Sequence, residues 1–222
     1  MQKQESKKQT TTVIKWILAT VILVTLIIGG AFISGTFYPN VWTVEKIEAE
    51  VHKKELNQVK LLGLREPEFE YTDKTSFLLA TSKCVEYLNY TTDRLSRVPT
   101  SIIIAMAGVE SGWGTSRFAN EGNALFGVRT WDLKNVAHMK AKGNPDASWG
   151  VKKYKTKCES VKDMIAIINR HPAYKEFREE REDQIDNGKW NYRKLMVLMN
   201  AWSTNPDYHE IILQAIVDNK LP

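Results

Sequence analysis

The chain has 222 residues, two cysteines, four histidines and a formal net charge of +5. Apart from one long apolar segment, that length suits a single domain with a real hydrophobic core. Two cysteines exclude a disulfide-rich scaffold, and His52, His138, His171 and His209 are too scattered to form a metal site.

Residues 16–35 read WILATVILVTLIIGGAFISG and carry no charge. A helix needs about 20 apolar residues to cross the hydrocarbon core of a bilayer, so this segment is expected to be a transmembrane anchor. Lys3, Lys7, Lys8 and Lys15 precede it against one acid, Glu5, while Glu45, Lys46, Glu48 and Glu50 beyond it are mixed in sign. The lysine excess predicts a single-pass protein of the cell membrane with residues 1–15 as a cytoplasmic basic tail and the body periplasmic or extracellular. Trp16 on one side and Phe37, Tyr38 and Trp42 on the other suit the two membrane interfaces. The rival is a cleaved signal peptide, whose apolar core runs about 7–15 residues and ends in a small-x-small site. This run is longer and no Ala-x-Ala follows, so a retained anchor is expected. Either way the body is exported. There Cys84 and Cys158 could form a bridge or stay two buried thiols, and the sequence leaves both open.

Residues 36–73 form a juxtamembrane stalk and first helix, with Val44, Ile47, Val51, Leu56, Val59 and Leu62 on an imperfect stripe and Gly63 as the stop. A helix over 74–90 presents Phe77, Leu78, Thr81, Cys84, Val85 and Leu88. After Pro99, with Thr100 or Ser101 as cap, a nearly continuous apolar run ending at Gly112 and Gly114 predicts a buried central helix. Residues 131–154 hold Gly143, Asn144, Pro145 and Gly150 and predict a long loop or short hairpin. Helical spacing resumes over 160–169 and 192–202, and a last helix begins at Pro206 behind Asn205 as cap. The fold class is mainly α, with about five to seven helices and one irregular insertion.

Glu110 sits at the end of the central helix. Three, four and seven residues before it stand Ala107, Met106 and Ile103, all apolar and all on its face. A carboxyl there loses hydration, which raises its pKa and fits it to hold a proton near neutral pH. Gly108, Ser111, Gly112 and Gly114 leave room beside it, and Trp113, Trp131 and Trp149 offer flat faces for sugar rings. The plainer alternative is a structural glutamate paired with Arg117 or Arg129.

The segment VPTSIIIAMAGVESGWGTSRFANEGNALFG, residues 98–127, resembles the signature of the bacterial mannosyl-glycoprotein endo-beta-N-acetylglucosaminidase-like family of peptidoglycan glucosaminidases. More narrowly it resembles the Bax-like branch. VKKYKTKCESVKDMIAIINRHPAY (151–174) and AWSTNPDYHEIILQAI (201–216) are similar to its later motifs. The resemblance spans roughly 75–216 and implies a lysozyme-like helical glucosaminidase domain, set at 74–218. It also implies hydrolysis of the β-1,4 bond between N-acetylglucosamine and N-acetylmuramic acid, with Glu110 as general acid. Tyr208 falls in the closing motif, where the family keeps an aromatic hydroxyl near the site. Trp202 replaces the tyrosine that often opens that motif. Asn123 and Phe126 either shape the groove or support the helix–loop junction.

Many glycosidases use a second carboxylate. No Glu lies between Glu121 and Glu159, so Asp146, before Trp149, is the candidate, with Asp132 behind it. Alternatively the substrate acetamide assists, or activity is lost. The substrate-binding candidates are Trp113, Asn123, Phe126, Trp131 and Trp149. The expected partners are peptidoglycan glycan strands and the membrane. No nucleic acid is expected, because no basic run is interleaved with aromatics. No metal or organic cofactor is expected either. A lytic transglycosylase of similar fold and a non-catalytic exported glycan-binding protein are the alternatives.

Overall fold

The computed structural model describes residues 2–35 and 40–222. The chain forms two compact units, residues 1–54 and 55–222. In the first, α1 (Gln2–Ile33) is a single helix that starts well before the uncharged run. Its segment Val13–Ile33 is long and apolar enough to cross a membrane and has none of its surface buried by the protein. At 1.5 Å per residue it spans about 30 Å, the thickness of a hydrocarbon core. Leu18, Ile22, Leu26 and Ile27 all stand more than half exposed, a surface that lipid and not water would cover. Trp16 and Trp42 are also exposed, as interfacial residues would be. Phe37 and Tyr38 lie outside the described residues. α2 (Val41–Leu61) ends two residues before Gly63.

The second unit carries seven α-helices among the described residues: α3 (Lys74–Thr91), α4 (Thr100–Ser111), α5 (Arg117–Gly122), α6 (Lys157–Arg170), α7 (Lys175–Asn187), α8 (Tyr192–Val197) and α9 (Tyr208–Asp218). It is mainly helical, in keeping with a lysozyme-like fold. α4 is its axis: Ile102, Ile103, Ala105, Met106 and Ala107 are fully buried, and α3 and α9 pack against it. α3 starts on a capping box, in which Asp73 accepts from the Ser76 amide at 2.7 Å and Ser76 Oγ accepts from the Asp73 amide at 3.0 Å.

Several elements differ from the sequence expectation. Pro99, not Thr100 or Ser101, stands at the N-cap of α4 and makes no side-chain cap bond. Ser101 turns inward to bond the Tyr192 hydroxyl at 3.1 Å. The helix expected over 192–202 breaks into α8 and a 3₁₀ turn, Asn200–Trp202. The last helix starts at Tyr208, because Asn205 accepts from the Asp207 amide and makes a turn of residues 205–207.

The irregular segment is a small antiparallel sheet, ordered β1 (Arg129–Thr130), β3 (Gly150–Lys152), β2 (His138–Met139). α5 and α7 have no counterpart in the sequence reading. The buried positions of α7 are Phe177, Arg181 and Gln184, a stripe at helical spacing that is two-thirds polar. Its polarity has partners: Arg181 donates to Asn169 Oδ1 at 2.7 Å, and Gln184 Oε1 accepts from the Asn191 amide at 2.6 Å.

A disulfide joins Cys84 on α3 to Cys158 on α6, 74 residues apart in sequence, with both sulfurs buried. It ties together the two helices that flank the core. Closing a loop of that length removes unfolded-state entropy worth about 4 kcal/mol in the chain-entropy account. Replacing both cysteines by alanine, or adding reductant, is expected to lower stability by about 2–4 kcal/mol. Thermal melts with and without reductant check this, and the double variant should be insensitive to reductant.

Candidate active site

The end of α4 fixes the direction of Glu110. Gly112 takes the left-handed conformation, and the Trp113 amide reaches back to the Gly108 carbonyl at 2.7 Å, closing the helix in a Schellman turn. That turn lays the Trp113 ring flat on Gly108, where any side chain would overlap it. Ser111 Oγ donates to the Ala107 carbonyl at 2.5 Å and accepts from the Gly114 amide at 2.8 Å, so the loop is tied to the helix. In the ESGWG motif, serine, glycines and tryptophan are thus spent on packing. The carboxyl of Glu110 is left facing the groove.

Glu110 lines one side of an open groove of about 650 Å³. Phe126, Tyr174 and Trp202 line it too, with Phe126 and Tyr174 each 6.3 Å from the Trp202 ring by centroid. The Glu110 side chain is open to solvent from the groove while protein encloses its other sides. Burial of the carboxyl pushes its pKa up, and hydrogen bonding from Tyr208 and Trp202 to the ionised form offsets part of that rise. The Tyr208 hydroxyl is buried and makes no hydrogen bond of full geometry, yet it lies near enough to feel the Glu110 charge. Burial first, and that negative charge second, raise the Tyr208 pKa, so its phenol stays protonated beside Glu110.

The sheet and the α6–α7 corner build the remaining walls. Arg129, Trp131 and Lys152 enter from the sheet. Lys152 Nζ bonds Asp163 Oδ2 at 2.8 Å, and the Tyr154 hydroxyl donates to the same oxygen at 2.7 Å. Burial and the Asp163 charge hold Tyr154 far above the usual phenol range. His171 and Tyr174 come from the corner. Arg178 of α7 pins it by donating to the Ile168 and His171 carbonyls, both at 2.9 Å. The polar helix the sequence did not announce therefore supports two groove residues.

Of the residues singled out in the sequence, Glu110, Phe126 and Trp131 line the groove, and Tyr208 lies behind Glu110. Trp149 does not line it, but holds the Arg129 guanidinium 4.2 Å above its ring. Trp113 lies elsewhere, packed on Gly108 with Lys74 Nζ 4.0 Å from its ring centre. Asn123 is committed to structure. In the left-handed conformation it donates to the Tyr154 and Lys155 carbonyls and accepts from Lys157 Nζ. Asp132 caps its own turn through Asn135, which holds its pKa below the usual carboxylate value. Asp146 is exposed and stands outside the groove lining. Among the described residues that line the groove, Glu110 is the single acid. Sequence reasoning passed over Arg129, Lys152, His171 and Tyr174 as groove residues. No local pattern marks them, since they meet only through the tertiary fold.

A mainly helical domain with one protonatable carboxyl in an aromatic-walled groove has the layout of a glycosidase. The comparisons with known proteins agree. Residues 90–221 match the mannosyl-glycoprotein endo-beta-N-acetylglucosaminidase (Glucosaminidase) family, and the chain belongs to that family. It is 36% identical over 91 residues to Protein bax of Escherichia coli (strain K12), a match covering 40% of this chain and 30% of that protein. The match thus spans under a third of that relative's length. The catalytic domain of the autolysin Auto from Listeria monocytogenes superposes with a TM-score of 0.50 and 18% identity, covering 75% of this chain and 94% of that one. At that identity the likeness is one of fold.

Two predictions follow from the electrostatics. The folded-state pKa of Glu110 lies above its unfolded value, so the folded protein binds the extra proton between the two. Stability then falls as pH rises through that interval. Glu110→Gln is expected to melt above the native protein at neutral pH, and the gap should close below the ordinary carboxylate pKa. Melting curves across roughly pH 3–8 check it. Trp202→Phe keeps a ring but removes the indole donor that favours the ionised carboxyl. It is expected to move the Glu110 titration to higher pH, read by carboxyl-carbon NMR.

Proposed function

We propose that the protein is a peptidoglycan hydrolase that cleaves the β-1,4 bond between N-acetylglucosamine and N-acetylmuramic acid, with Glu110 as general acid. The observation that carries this reading is the single carboxyl in the groove, with its pKa raised by burial, in a chain of the glucosaminidase family. A glycan strand lies along the groove with the apolar faces of its sugars against Trp131 and the Phe126–Trp202 wall. Glu110 gives its proton to the glycosidic oxygen as the bond to the anomeric carbon breaks. Tyr208 then donates to the carboxylate left behind, and Trp202 does the same through its indole N–H.

With no second acid in the groove lining, the positive charge on the sugar is met by the substrate's own acetamide oxygen, which closes onto the anomeric carbon. Water then opens that ring and restores the proton to Glu110. Asp146, on the exposed loop before Trp149, is left to approach only from outside the lining.

The single carboxyl also favours a second reading, a lytic transglycosylase. There the muramic C6 hydroxyl attacks in place of water and an anhydro ring forms.

We assign the domain, read as residues 74–218, to the Bax-like branch, and the 36% identity over 91 residues to Protein bax supports that reading. The anchor holds the chain in the cell membrane with its N-terminus cytoplasmic and the domain periplasmic or extracellular. The lysines before the segment support this, and so does the Cys84–Cys158 disulfide, which forms in oxidising compartments.

The test is to incubate the full chain, in detergent, with purified peptidoglycan and to identify new glycan ends by mass spectrometry. Reducing N-acetylglucosamine ends are expected, with Glu110→Gln at least about 100-fold slower. Anhydro-muramic ends would move the protein to the transglycosylases. No new ends from a folded, glycan-binding protein would leave a binding role alone.

A further inference from the structure

The groove wall that the sheet builds carries a cation without an acid. Arg129 lies on β1, paired with Val151 of β3. Trp149 stands two residues before Val151, on the same face of the sheet and diagonal to Arg129, within reach across the strands. That register puts the Arg129 guanidinium 4.2 Å from the centre of the Trp149 ring. A guanidinium lying on an indole is oriented by it and loses little freedom when it binds something else. Among the described residues, no carboxylate lies within ion-pair distance of Arg129. The other cation of the wall, Lys152, is already engaged by Asp163 at 2.8 Å. Trp131, two residues after Arg129 and alternating to the same side, is 66% exposed and also lines the groove.

An oriented fork of N–H donors, uncompensated in charge and beside a bare ring, is complementary to a sugar that carries a carboxylate. We propose that Arg129, positioned by Trp149, is a specificity residue that binds a carboxylate borne by the glycan, and that the protein thereby prefers muramic-acid chains to neutral N-acetylglucosamine polymers. The carboxylate has two sources: the lactyl group of muramic acid freed of peptide, or an acidic residue of an attached stem peptide. This inference rests on the reading of the groove as a glycan site.

The experiment measures binding, so that turnover does not enter. The full-length Glu110→Gln protein in detergent is titrated with fluorescent glycan chains of matched length. The probes are peptide-free chains with lactyl carboxylates, the same chains with those carboxylates converted to methylamides, chains bearing stem peptides, and neutral N-acetylglucosamine oligomers. Adding Arg129→Gln is expected to weaken binding of carboxylate-bearing chains at least tenfold and to change that of the methylamide chains and neutral oligomers less than threefold. Arg129→Lys, which keeps charge without the fork, should recover part of the loss. Trp149→Leu should show a smaller loss of the same selectivity. A larger effect on the peptide-free chains assigns the lactyl carboxylate, and one confined to peptide-bearing chains assigns the stem peptide. Equal affinity for both kinds of carboxylate-bearing chain and for the methylamide and neutral chains, or an Arg129→Gln loss that is the same for all four probes, overturns the inference and leaves the groove reading intact. Failure to bind any of the four glycans by a protein with the native melting curve overturns the groove reading itself.

Discussion

The structure turns on one conflict: a helix enclosed on all sides by apolar packing ends on a carboxylate. Ile102, Ile103, Ala105, Met106 and Ala107 can be buried completely because nothing in them needs water. Glu110, one turn on, does need it. The fold meets this by opening a groove at the one end of α4 where the residue emerges, and by lining that end with donors. Trp202 and Tyr208 reach Glu110 from the C-terminal segment, and both favour its ionised form, yet burial wins and the pKa stays raised. A carboxyl in that balance is reluctant to ionise and has an acceptor's partners ready when it does, which is what proton donation to a leaving oxygen requires.

How far the sequence announced this depends on whether the cause is local. α3, α4, α6 and α9 were legible because their buried faces are apolar at helical spacing. The environment of Glu110 could be counted from Ile103, Met106 and Ala107. α7 was not legible because Phe177, Arg181 and Gln184 form its buried stripe, and a partnered arginine in a core has the same letter as one on a surface. Trp113 was given to sugar on the strength of its ring, but the turn after Gly112 folds it back onto Gly108. The glycine that seemed to leave room for substrate is filled by the protein itself. The walls of the groove come from residues 126–131, 152, 167–174 and 201–204. No window of sequence contains them. What the motif resemblance added was the assembly of these distant pieces into one expected fold, without the role of each side chain.

The break between α8 and the 3₁₀ turn at Asn200–Trp202 shows the same logic in small. Spacing alone predicts one helix over 192–202, and helix propensity offers no objection. The chain leaves the helix after Val197, and Trp202 then sits against Phe126 and Tyr174, where it favours the ionised form of Glu110. A continuous helix would carry residue 202 along the α8 axis instead. Aromatic packing and a donor to a desolvated carboxyl here outweigh one more turn of backbone hydrogen bonds, two of which are recovered as the Met199 and Trp202 amides bond the Met196 and Met199 carbonyls.

The groove also holds cations together with an acid whose pKa is raised. A positive charge close to Glu110 would favour its ionised form and undo the effect of burial. The structure separates the two. Lys152 is neutralised by Asp163, and Arg129 is drawn onto Trp149, so the influences that set the Glu110 pKa are burial, Tyr208 and Trp202 rather than either cation. Asp163 and Trp149 are therefore more than wall supports. By holding the positive charge at the sheet, they leave the groove with a cation on its wall and an acid whose pKa stays raised. The absence of a second acid from the lining, among the described residues, fits the same arrangement, because a carboxylate beside Arg129 would pair with it and cancel the charge that the wall presents.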